Sequence, residues 1–139
     1  MDKRELPRML EDASAANMQV FGATCLYQYC VAKGIHSCAS VVELIDHLKS
    51  ISASEDLSEW EAAGAVLQLG GRGDALPGEI ESLLGQKEAV EFGILVECVV
   101  EIGIVDMYGA STDLPLQFVR RTIEILERAG IPVPEQSVE

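Results

Sequence analysis

The chain has 139 residues, the size of one domain at the usual 100–150 residues or so. Leu, Val, Ile and Phe supply 41 of them, which excludes a chain too poor in core formers to fold. Ten basic residues stand against 23 acidic ones, for a net charge of −13. That balance argues against direct contact with nucleic acid or an anionic bilayer, both of which are held through Lys and Arg.

The first residues, from Met1 to Arg8, carry three basic and two acidic groups and no apolar run. They read as no secretory signal, so a cytoplasmic location is the expectation. A short helix is expected around Leu6 to Ser14. Residues 13 to 32 hold no formal charge. They reach the length of a membrane span, but Ser14, Asn17, Gln19, Thr24 and Gln28 make them too polar for one. A helix from about Met18 to Lys33 is the better reading, closed by Gly34 in a left-handed cap ahead of Ile35. Phe21, Leu26, Tyr27 and Val31 give that helix apolar residues on more than one side, a feature that would suit a homo-oligomeric scaffold.

Three of the four cysteines, Cys25, Cys30 and Cys38, lie with His36 in this part of the chain; the fourth is Cys98. C-x4-C-x5-H-x-C is not a customary zinc spacing, and on a helix Cys25 and Cys30 diverge by about 140°. Reduced, buried thiols are expected, and no cofactor.

From Val41 to Ile51 the residues Val41, Leu44, Ile45, Leu48 and Ile51 form an apolar stripe, with Glu43, Asp46, His47 and Lys49 off it. Ser40 and Glu43 have the spacing of a capping box. The acid of the chain begins here. Between residues 34 and 119 only Lys49, Arg72 and Lys87 oppose fifteen carboxylates. The densest run is Glu55-Asp-Leu-Ser-Glu-Trp-Glu61. Ser58 and Glu61 match a second capping box, opening a helix to about Leu69 with Trp60, Ala63, Gly64 and Leu67 on one stripe. Gly70 to Asp74 is a loop by composition. Its Arg72-Gly73-Asp74 tripeptide reads as chance in a chain without a secretion signal, and its glycines lack the Lys-Ser/Thr of a phosphate loop. Pro77 can start a short helix ending near Gly85.

Lys87 to Tyr108 is apolar on most sides from Phe92 onward. Its β-branched content allows a strand, but the run is too long and too unbroken for one, and a helix is the better reading. A helix of this kind sits at the centre of a bundle. Asp106 to Asp113 is then a polar link. The last helix is the most regular: Leu116, Phe118, Val119, Ile123, Ile125 and Leu126 face one way, while Gln117, Arg120, Arg121, Glu124, Glu127 and Arg128 face the other. Asp113 is a candidate N-cap and Gly130 a candidate C′ residue. Arg120 with Glu124, and Glu124 with Arg128, are helical ion-pair spacings.

The expected architecture is therefore all-α: a single domain over residues 1–139, a compact bundle of about six helices with the 87–108 helix in the middle. Two histidines and no G-x-S-x-G give little support to nucleophilic catalysis, and the chain leans away from an enzyme. The leading expectation is a protein-binding module whose partner is basic, docking through Glu55, Asp56, Glu59 and Glu61, with Asp106 and Tyr108 as further contact candidates. In size, acidity and helical content the chain resembles small bacterial immunity proteins, a resemblance of type that no motif carries. It implies an inhibitor of a basic toxin or of another nucleic-acid-handling protein. The alternative is a metal-binding or hydrolytic enzyme centred on Glu97 and Glu101, two carboxylates one turn apart on an apolar helix.

Overall fold

The computed structural model describes residues 15–53, 59–60, 62–63, 78–104 and 114–133. All regular structure among them is helical. Helix α1 spans Ala15–Lys33 and α2 Ala39–Lys49, the latter running into a 3-10 turn at Ser50–Ala53; α3 is Gly78–Leu83, α4 Gln86–Ile104 and α5 Leu114–Arg128. The helices expected around Leu6–Ser14 and along most of 58–69, the 70–74 loop, and the caps at Ser58 and Asp113 lie outside the described residues.

Helix α1 is the most enclosed element. Every residue from Met18 to Leu26 is buried, so two and a half turns of helix have no face on water. It touches α2, α4, α5 and the 3-10 turn. The expectation put the 87–108 helix at the centre, whereas α4 leaves Val90, Ile94 and Glu97 exposed. The physical reason lies in charge: α1 carries no charged residue before Lys33, while α4 contains Lys87, Glu88, Glu91, Glu97 and Glu101, each costly to bury. The buried polar residues of α1, Gln19 and Thr24, are satisfied inside the core. Gln19 Nε2 donates to the Val99 carbonyl of α4 at 2.7 Å, and Thr24 Oγ1 donates back to the Val20 carbonyl at 3.0 Å.

The α1–α4 crossing is close because Gly22 sits on it: a Cβ there would stand 2.6 Å from Ile102 Cδ1 and 3.4 Å from Val99 Cγ1. Around this crossing Phe21, Leu26, Phe92, Leu95, Val99 and Ile102 are sealed from solvent. Burial contributes about 1.5–3 kcal/mol for each side chain of this size. Continuous helix through Ile104 leaves no room for the strand alternative in the part of 87–108 described here; residues 105–108 lie outside it.

α5 packs against both α4 and α1. Val119, Ile123, Ile125 and Leu126 are buried, and Gln117, Arg120, Arg121, Glu124, Glu127 and Arg128 are exposed, as its periodicity predicts. The spacings Arg120–Glu124 and Glu124–Arg128 are not realised as ion pairs, consistent with the few tenths of a kcal/mol such pairs offer. Both Gly-Ile endings form left-handed caps. Gly34 and Gly130 have φ of 74° and 75°. Ile35 N–H reaches the Cys30 carbonyl and Ile131 N–H the Leu126 carbonyl, each at 2.9 Å. These are Schellman closures.

The start of α2 differs from the capping-box expectation. Cys38 is the N-cap, its carbonyl accepting from the N–H groups of Val41 and Val42 at 3.0 Å each. Ser40 therefore lies within the first turn, and its hydroxyl is buried without a hydrogen-bond partner. The Schellman turn at Gly34 and the Cys38 N–H bond to the Ile35 carbonyl (3.1 Å) set the helix start two residues earlier than the S-x-x-E pattern does.

Candidate functional site

Three surfaces follow from the sequence, and the structure treats each differently. The first is the acidic run at 55–61. Glu55, Asp56 and Glu61 lie outside the described residues; Glu59 is exposed and Trp60 buried. Trp60 is an anchor for the end of α2. Its indole Nε1 donates to the His47 carbonyl at 2.9 Å and contacts Ser50 Oγ at 3.2 Å. Ser50 Oγ and Ser50 N–H also donate to the His47 carbonyl. Carbonyls of a last helical turn lack intrahelical donors, so the indole and Ser50 together satisfy one of them. The Trp60 ring stacks on the His47 imidazole, with centroids 4.6 Å apart and planes 12° from parallel.

His47, expected to face solvent, is thus half-buried under an indole, and desolvation lowers its pKa. The correction has a tertiary cause: a wheel of α2 alone does not contain Trp60. Ala63, placed on the same apolar stripe as Trp60, is exposed. The stacking brings Glu59 to the end of α2 whose outer face carries exposed Glu43 and Asp46.

The second surface is the Glu97–Glu101 pair. Glu97 is exposed and Glu101 half-buried. Asp106 and Tyr108 lie outside the described residues. Among the described residues no three His, Cys, Asp or Glu side chains gather where they could hold a metal ion. That includes Cys25, Cys30, His36 and Cys38. All four cysteines are buried thiols without disulfides. Burial pushes the Cys30 thiol up to about 12, helped by the nearby Cys38, so it is a packing residue and a poor nucleophile at neutral pH.

The third is the apolar exposure of α1. Phe21 and Leu26 belong to the core, while Tyr27 and Val31 remain exposed, at 42% and 43%.

The sequence reading missed a fourth surface. A groove of about 330 Å³ runs between α4 and α5, lined by Lys87, Val90 and Ile94 from one helix and Arg121, Ile125 and Arg128 from the other. The signal was split: each helix shows a polar face with cations on it, and only packing joins the two. The α1 end of α4 is fixed nearby. Tyr29 donates to Glu91 Oε1 at 2.9 Å and stacks on Phe92, and Lys33 pairs with Glu88 at 2.7 Å. Lys33 holds the Glu88 carboxyl below its ordinary range, and burial with the Glu91 bond pushes the Tyr29 phenol up.

No family model, curated protein or solved structure matches the chain. Among the described residues no helix is long and apolar enough to cross a membrane.

Proposed function

We propose that the protein is a binding module, not an enzyme, and that it docks on a basic protein partner through an acidic face. The face joins the 55–61 run to the outer side of α2. The observation that carries this reading is the Trp60–His47 stack. It ties Trp60, next to exposed Glu59, to the end of α2, the helix that also carries exposed Glu43 and Asp46, in a part of the chain with twelve more acidic than basic residues between 34 and 119. Pre-positioned carboxylates steer a cationic partner in from a distance and set orientation, mainly through the association rate. A surface of this kind suits an immunity or inhibitor protein acting on a basic toxin, or on another nucleic-acid-handling protein. Asp106 and Tyr108 are secondary contact residues in this proposal. The metal or hydrolytic alternative at Glu97 and Glu101 gains no support from the geometry, since no third ligating group joins them among the described residues.

The test is affinity capture from source-cell lysate at low and high salt, followed by association kinetics with the captured protein. A basic partner should be held at low salt and released at high salt. Replacing Glu55, Asp56, Glu59 and Glu61 by their amides should slow association at least tenfold and flatten its salt dependence. Unchanged kinetics in the quadruple variant would remove the acidic face from the proposal.

A further inference from the structure

The groove between α4 and α5 runs against the charge of the rest of the molecule. After Lys33 the chain has six basic residues, and three of them, Lys87, Arg121 and Arg128, line this one depression. Among the described residues none of the three is engaged in an ion pair. Its apolar part is open to solvent: Val90 is 62% exposed and Ile94 41%, with the buried Ile125 also in the lining. Solvated aliphatic surface next to unpaired cations is the composition of a ligand groove, where an apolar floor supplies affinity and a few polar groups fix orientation.

The groove is lined by the first half of α4 and the second half of α5, and we infer an antiparallel pairing of the two helices. Lys87 and Arg128 therefore share one end, Val90 and Ile125 the middle, and Ile94 and Arg121 the other end. Arg121 and Arg128 are seven residues apart, roughly 10 Å along the helix, so a single anionic group meets Arg128 with Lys87 rather than both arginines. Glu91 and Glu124 also line the groove and bring its formal charge to +1. Glu91 is held in place by the Tyr29 hydroxyl. That leaves net charge to balance one negative group.

The geometry points to a binding site for a small organic monoanion with an apolar body: a carboxylate or sulfonate head between Lys87 and Arg128, its hydrocarbon or aromatic frame lying over Val90, Ile125 and Ile94. The volume, near the lower end of the roughly 300–1,000 Å³ of small-molecule sites, suits a short frame. A net charge of −13 keeps the molecule off anionic bilayers, so the occupant is a free solute and not a membrane headgroup.

The experiment titrates the full chain with anilinonaphthalene sulfonate, followed by fluorescence, and then displaces it with decanoate, decyl phosphate or decanol. Saturable binding is expected, displaced by decanoate, less well by the mostly dianionic decyl phosphate at pH 8, and least by decanol. The Lys87→Gln/Arg128→Gln variant should bind the probe at least tenfold more weakly, since each lost charge-assisted hydrogen bond is worth roughly that factor. Arg120→Gln, off the groove, should bind as the parent does. In the unaltered protein, decanoate should shift the methyl NMR resonances of Val90, Ile94 and Ile125, a readout that needs no variant to fold. Absence of saturable binding, equal displacement by decanol and decanoate, or shifts confined to other methyl groups would each overturn the assignment.

Discussion

Gly22 and Gly93 provide a matched pair for testing the α1–α4 packing. Both glycines lie inside helices, where glycine costs roughly 0.5–1 kcal/mol relative to alanine. A Cβ on Gly93 meets nothing within 4 Å, whereas one on Gly22 would sit 2.6 Å from Ile102 Cδ1. Carbon contacts are optimal at about 3.5–4.0 Å, so Ile102 must retreat by about 1 Å. It is fully buried and has little space to do so. Overpacking of this kind costs about 1–3 kcal/mol. Gly93→Ala should therefore stabilise the protein by about 0.5–1 kcal/mol, and Gly22→Ala should destabilise it by about 1 kcal/mol after the helical gain is counted. Ile102→Val removes the clashing Cδ1. Alone it should cost about 0.5–1.5 kcal/mol; combined with Gly22→Ala it should restore stability, a favourable coupling of about 1 kcal/mol or more in a double-mutant cycle. Urea unfolding at constant m-value reads all four proteins. If Gly22→Ala stabilises as much as Gly93→Ala, or the coupling is within about 0.3 kcal/mol of zero, the close crossing is wrong.

The His47–Trp60 stack predicts a pH dependence. Burial lowers the His47 pKa below its ordinary 6.5, so the folded state takes up its proton later than the unfolded state on acidification. Stability is then fully present above pH 6.5 and falls as pH drops toward the folded pKa. Trp60 is the sole tryptophan. Its fluorescence should be quenched by the imidazolium with a midpoint below 6.5, and His47→Gln should abolish the transition; a midpoint at or above 6.5 would contradict the burial. The Schellman glycines give a further test. Gly130→Ala forces a Cβ into φ of 75° and should lower stability by about 1 kcal/mol, with no clash involved, because nothing stands within 4 Å of the new Cβ. Gln19→Leu removes the donor to the Val99 carbonyl and should destabilise by about 1–3 kcal/mol in thermal or urea unfolding, because it disrupts a fully buried hydrogen bond.

The helices legible in the sequence were those whose information is local. α5 alternates apolar and charged positions at helical period; Val119, Ile123, Ile125 and Leu126 are buried and Phe118 half-buried, while its charged positions from Arg120 to Arg128 are exposed. Gly34 and Gly130 were legible because a left-handed C′ position favours one residue type. The capping box at Ser40 had the right letters and the wrong place: the turn after Gly34 commits Cys38 to the N-cap. The enclosed position of α1 was harder to read. A helix apolar on most sides has little periodic signature, and a polar residue that pins it, Gln19, looks like a surface residue until the Val99 carbonyl is brought 80 residues along the chain to meet it.

The same division separates the two surfaces. The acidic run is contiguous in sequence, so its charge could be read directly, yet its attachment could not, because the stack needs His47 and Trp60 thirteen residues apart. The basic groove is the reverse case. On the wheel of α5, Arg121 and Arg128 belong to a solvated face with Glu124 between them, and in α4 Lys87 is a lone cation beside Glu88. Within each helix the cations stand beside carboxylates and mark no basic patch of their own. Once α4 packs on α5, Lys87, Arg121 and Arg128 line one groove with the exposed aliphatic carbon of Val90 and Ile94. A net charge of −13 therefore says little about this site: local charge is set by which helix faces meet.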